Sequence, residues 1–107
     1  MLNTFDAENF STEDGKPPGG YVSGLGLEIT WQNGPLGRDE DREAPNGAFV
    51  ETVLEAVKQR IEYYQTLQFN CAENQWAIHH INEALLHLRA RTARREQQGT
   101  EGTWEGN

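Results

Sequence analysis

The chain has 107 residues, of which 36% are apolar, and its 17 acidic and 9 basic side chains give a formal charge of −8. This length suits one domain, and an apolar share below the usual about 45–50% leaves only a thin core. The charge excludes a duplex nucleic-acid binder acting through bulk positive potential, and the single cysteine, Cys71, excludes an intramolecular disulfide framework and fits a reducing compartment. No apolar run is long enough to span a membrane, and no signal-peptide core follows Met1, so a soluble cytoplasmic protein is expected.

Residues 1–20 read as a flexible acidic arm. They carry Asp6, Glu8, Glu13 and Asp14 and end in the breaker run Gly15-Lys16-Pro17-Pro18-Gly19-Gly20. Residues 21–47 read as a small β region and loop. Leu27-Glu28-Ile29-Thr30-Trp31 alternates apolar and polar, which predicts a strand, and Tyr21-Val22 predicts a shorter one before a flexible Ser23-Gly24. The segment Gln32–Gly37 is a turn by composition, because Asn33-Gly34 supplies a positive φ. A charged loop then runs to Pro45-Asn46-Gly47.

Residues 48–107 read as a helical hairpin domain with a C-terminal tail. Val50, Val53, Leu54, Val57, Ile61 and Tyr64 recur at helical spacing and predict a helix over 48–66. A loop over 67–72 follows. A second helix is predicted from about Glu73 to Gln98, with the stripe Ala77, Ile81, Ala84, Leu85, Leu88 and Thr92, and Gly99 stops it. The expected fold is therefore α+β, a short N-terminal β-strand region followed by a long antiparallel αα-hairpin. Tyr63, Trp76, Ile78 and Leu86 fall off the stripes. With a thin core, they predict a second interface and a homo-oligomer, most simply a two-fold dimer of hairpins.

Three arrangements could carry chemistry. His79, Glu83 and His87 are spaced along one helix face, but no second ligand cluster accompanies them, so a solvated polar face and no metal are expected. Cys71 lacks a recognisable base and orienting acid, and Gly24-Leu25-Gly26 precedes a strand rather than opening a helix, so neither a nucleophile nor a phosphate loop is indicated. No catalytic constellation and no cofactor are expected. The remaining arrangement is the one basic stretch, Arg89, Arg91, Arg94 and Arg95 against the single acid Glu96, close to Gly99, Thr100, Gly102 and Thr103. Guanidinium groups, backbone N–H groups and hydroxyls suit phosphate oxygens, and Trp31, Tyr63, Tyr64, Phe69 and Trp76 offer planar faces to a base. A small nucleotide is chemically possible there, whereas Arg residues at a helix C-terminus are also favoured by the macrodipole alone.

Several motifs in order carry a resemblance. They are Trp31-Gln32-Asn33-Gly34-Pro35-Leu36-Gly37, Pro45-Asn46-Gly47-Ala48-Phe49-Val50-Glu51, Arg60-Ile61-Glu62-Tyr63-Tyr64-Gln65, Phe69-Asn70-Cys71-Ala72-Glu73-Asn74, Ile81-Asn82-Glu83-Ala84-Leu85, and the stretch from Arg91 to Thr103. Together they resemble the phage family that shares a helical hairpin between Thoeris anti-defence and anti-CBASS cyclic-nucleotide sponges, and the strand region before the hairpin brings this chain closer to the Thoeris side. The tail departs from the family at Thr100, where Val is usual, and at Trp104, where His often stands.

The resemblance implies sequestration without catalysis, in the host cell cytoplasm, of the cyclic ADP-ribose isomers that bacterial TIR-domain enzymes make as immune signals. Cyclic di- or trinucleotides are implied as a further ligand class. The implied assembly is a dimer or a hexamer built of dimers, with no duplex nucleic acid and no membrane as partner. Carried over by motif, Asn74 and Arg91 are the first ligand-binding candidates, Tyr64 and Phe69 offer stacking faces near Asn74, and Arg95, Gly99 and Thr103 form a candidate phosphate site. Asn74 and Arg91 lie about 25 Å apart at helical rise, so one ligand touching both requires a second subunit running antiparallel. The alternative is a helical-hairpin protein-interaction or structural phage protein with no nucleotide ligand.

Overall fold

The computed structural model describes residues 4–11 and 18–98. The chain divides between Phe49 and Val50 into two compact units. The first holds an antiparallel meander of β1 (Phe5–Asn9), β2 (Gly20–Gly24) and β3 (Leu27–Trp31), in that order across the sheet. The second is the hairpin of α1 (Val50–Gln65) and α2 (Ala72–Gln98). The α+β class and the hairpin follow the sequence expectation, and β3 falls on the predicted residues.

Strand β1 departs from the expected flexible arm. Phe5 pairs with Gly24, Glu8 with Tyr21 and Asn9 with Gly20, and the Phe10 N–H donates to the Gly19 carbonyl at 2.8 Å. All of β1 is exposed, so its place rests on backbone pairing and not on an apolar face, which explains why Asp6 and Glu8 do not prevent it. Opposite Glu8, the Tyr21 phenol is held above its usual pKa, chiefly by its hydrogen bond to that carboxylate. The breaker segment 12–17 of the expected arm lies outside the described residues. Ser23-Gly24, expected to be flexible, closes β2, and the chain reverses over Leu25-Gly26 instead.

The Trp-Gln-Asn-Gly and Pro-Asn-Gly motifs meet in a clasp. Ala48 forms a parallel bridge with Trp31, its N–H donating to Thr30 O at 2.7 Å and its carbonyl accepting from Gln32 N at 3.0 Å. The Asn46 carboxamide imitates a strand residue. It accepts from the Asn33 N–H at 2.8 Å and donates to the Asn33 carbonyl at 3.0 Å. Gln32 Oε1 accepts from the Asn46 N–H at 2.9 Å. Gly34 takes φ +80°, as the Asn-Gly turn requires. At Gly47 a Cβ would sit 2.5 Å from the Trp31 carbonyl, so only glycine lets the two backbones approach.

In the hairpin, the sheltered positions of α2 are Asn74, Ala77, Ile78, Ile81, Leu85, Leu88, Thr92 and Arg95. Apart from Ala77, they alternate steps of four and three residues, the repeat of a coiled-coil seam. This corrects the expectation for Ile78, which is 7% exposed and belongs to the seam, while Ala84 is exposed. Leu85 is fully buried. On α1 no residue is buried. Leu54, Lys58 and Ile61 are half-buried, whereas Val50 and Val57, predicted on the buried stripe, are exposed. The α1 stripe is thus wider than the face that α2 covers.

Polar contacts flank the seam. Lys58 Nζ reaches Glu55 Oε2 at 3.2 Å and donates to Asn82 Oδ1 at 3.1 Å, and Arg89 pairs with Glu55 across the two helices. Lys58 first, and Arg89 with it, hold the Glu55 carboxyl below the usual carboxylate range against a smaller opposing effect of desolvation. A depressed folded-state pKa contributes stability that is present above the unfolded value and lost as pH falls through the folded one. Glu55→Gln is therefore expected to lower the melting temperature at neutral pH and to make its decline in acid shallower. Thermal melts of both proteins across the acid range, followed by helical circular dichroism, check this.

Candidate functional site

The candidate residues fall at the two ends of the hairpin. At the loop end, α1 closes with stacked turns. Thr66 and Leu67 donate their N–H groups to Tyr63 O and Tyr64 O, each at 3.0 Å. The Gln65 side chain bridges the loop, donating to Cys71 O at 3.1 Å and accepting from the Cys71 N–H at 3.0 Å. This places Tyr64, at the end of α1, and Asn74, in the first turn of α2, on either side of one short connection. Asn74 Nδ2 donates to Phe69 O at 3.5 Å, and the Phe69 ring is exposed.

Sequence reasoning gave Arg60 no role, yet it organises this end. Its guanidinium lies 5.0 Å from the Tyr64 ring centroid and 5.5 Å from that of Tyr63, and its Nε donates to Tyr64 Oη at 3.2 Å. A cation over an aromatic face both fixes the ring and supplies positive charge beside it. The Arg60-to-Tyr64 step of four residues is the signal from which this could have been read. Tyr63 is exposed while Tyr64 and Asn74 are half-buried, so the loop end presents aromatic faces, a guanidinium and an amide together.

At the other end of α2 the basic stretch does not act as one patch. Arg89 is engaged by Glu55, and Arg95 is 8% exposed on the seam beyond Leu88 and Thr92. Arg91 and Arg94 are exposed. Gly99 and Thr103, the other members of the candidate phosphate site, lie outside the described residues, as do Thr100 and Gly102. Asn74 and Arg91 sit on one continuous helix, so the loop-end and Arg-end groups remain apart within a chain.

The histidine row is rearranged relative to its spacing. His79 Nε2 lies 2.6 Å and His80 Nδ1 3.6 Å from the same Glu83 oxygen, while His87 does not join them. Cys71 is an exposed free thiol at the start of α2. No described helix is long and apolar enough to cross a membrane.

No protein-family model matches the chain. It is similar to a protein named Thoeris anti-defense 1 from Bacillus phage SBSphiJ7, at 42% identity over 77 residues, which is 72% of this chain and 51% of that protein. The chain thus spans about half the length of the relative it matches.

Proposed function

We propose, from the premise that this chain belongs to the Thoeris anti-defence family, that it counters Thoeris immunity by binding and holding a cyclic ADP-ribose-type signal without turning it over. The observation that carries this reading is the loop-end group, in which Arg60 is poised over Tyr64 beside the connection to Asn74. An aromatic face, a guanidinium and an amide match the adenine, the pyrophosphate and the ribose hydroxyls of such a ligand. Arg91 and Arg94, exposed near the other end of α2, supply further phosphate contacts there. Cyclic di- or trinucleotides are a second ligand class of the same chemistry.

One chain cannot close Asn74 and Arg91 on a single small ligand, so the proposal includes a second copy running antiparallel. The exposed apolar side chains of Val50, Val57, Tyr63, Trp76 and Leu86 support such an assembly, because a thin core gains from covering them. A hairpin that docks another protein through Trp76 and Leu86, 63% and 66% exposed, is the competing reading.

A thermal-shift panel of cyclic ADP-ribose isomers and cyclic oligonucleotides separates the two. A ligand that binds only the folded state at a hundred times its Kd stabilises by about 2.7 kcal/mol, which in a chain of this length raises Tm by roughly 10–20 °C. The ligand is expected to come back chemically intact after the complex is heat-denatured. Turnover would replace the sponge with an enzyme, and a flat panel would favour the protein-docking hairpin.

A further inference from the structure

We propose that His79, His80 and Glu83 form a binding site for a late first-row divalent metal ion of the zinc class on the exposed side of α2. Their ligand atoms, two imidazole nitrogens and one carboxylate oxygen, all lie within 4.8 Å of one another. Around a tetrahedral zinc with bonds of about 2.0–2.2 Å, neighbouring ligand atoms stand about 3.3 Å apart. The two nitrogen–oxygen distances, 2.6 and 3.6 Å, bracket that value. The nitrogen–nitrogen separation, within 4.8 Å, must also close toward that value, which rotation of the two exposed imidazoles can supply.

Helix periodicity brings the three groups together. His79 stands four residues and His80 three residues before Glu83, so both are helix-surface neighbours of its carboxylate, one on either side. His80 turns its Nδ1 toward the same Glu83 oxygen that His79 contacts. Trp76, one turn earlier, stands behind both rings, edge-on to His79 at 5.8 Å and stacked on His80 at 6.3 Å. The two imidazoles themselves meet edge-to-face at 5.3 Å. An indole wall that restricts both rings reduces the ordering that metal capture demands.

The competing account is an ordinary surface ion pair between His79 and Glu83. That pair needs only one nitrogen at the carboxylate, whereas here a second imidazole shares the same oxygen and one indole flanks both rings. Two imidazoles and one carboxylate suit zinc, nickel or copper rather than magnesium or calcium, which prefer oxygen-only sites. All three side chains are more than half exposed, so the coordination positions they leave face solvent and are open to water. The site lies on the opposite chemical footing from the nucleotide candidates, since it contains no arginine and takes a cation.

Calorimetric titration of ZnCl2 into the full chain carrying Cys71→Ser, which removes the exposed thiol as a rival ligand, tests the assignment. One zinc per chain is expected. His79→Ala, His80→Ala and Glu83→Gln are each expected to weaken it at least about tenfold, the lower end of what losing even an outer-sphere partner costs. His87→Ala is expected to bind as the parent does. Co2+ in place of zinc should develop a visible d–d band that the three variants lack. Zinc binding that survives His80→Ala unchanged, or that disappears with His87→Ala, would overturn the three-residue site, as would no heat of binding at all.

Discussion

Arg91→Ala is expected to abolish measurable binding of the cyclic ADP-ribose-type ligand while leaving helix content and sedimentation unchanged. Of the four arginines near the end of α2, Arg89 is already engaged by Glu55 and Arg95 is sequestered on the seam, so Arg91 and Arg94 carry the solvent-facing charge. Arg91 is the one that the family motif selects and the one that flanks the seam at Thr92. Removing one member of a hydrogen-bonded charge pair with a phosphate costs about 2–5 kcal/mol, or roughly 30- to 5,000-fold in affinity. Because the side chain is exposed and outside the hairpin's packing, its loss should not disturb folding. Calorimetry with the strongest ligand of the thermal-shift panel reads the first effect, and sedimentation velocity reads the second. Unchanged affinity would remove Arg91 from the site.

Leu85→Ala should have the largest effect on stability. Leu85 is fully buried at the middle of the seam, between Ile81 and Leu88, and truncating such a side chain costs about 2–5 kcal/mol in transfer and cavity terms. A domain of ordinary stability has only about 5–15 kcal/mol in total, and among the described residues little else is buried to share the load. Urea denaturation followed at the helical circular dichroism band is expected to show a midpoint shifted by a large fraction of its value. The neighbouring Leu86→Ala is the control. Its side chain points away from the seam, so in dilute solution the midpoint should move little. Similar losses for the two variants would mean that the seam is not where the hairpin's stability resides.

What was legible in the sequence was what is local. The alternation Leu27-Ile29-Trp31 and the three-and-four spacing of α1 and α2 are short-range signals, and those elements appear within one or two residues of expectation. What was hidden depended on partners distant in the chain. β1 has no apolar face to betray it and exists because β2 offers it a ladder. Ile78 looked peripheral because a straight 3.6-residue helix puts it beside the stripe, whereas a seam stepping by four and three passes through it. The Gln32, Asn33 and Asn46 motif was readable as a family signature, but its chemistry is a backbone clasp between residues 13 and 14 positions apart. For the site, the short loop places Tyr64 and Asn74 on either side of one connection, while Arg60 stayed unnoticed because its contacts are to other side chains of its own helix.

The clasp has a consequence for how the chain can vary. By tying Asn33 to Asn46 it turns the intervening segment into an Ω-like excursion whose ends are fixed and whose middle carries no strand of the sheet. The free energy of closing such a loop grows only logarithmically, by about 0.6 kcal/mol for each doubling of its length. The segment is also braced within itself, by a 3-10 turn over Asp39–Asp41 and by the Glu43 N–H donating to the Leu36 carbonyl at 2.7 Å, so residues are added at least cost at exposed Ala44, between that brace and the clasp. In evolutionary terms that segment is where length is cheapest to change, and in practical terms it is a natural insertion point for a reporter peptide.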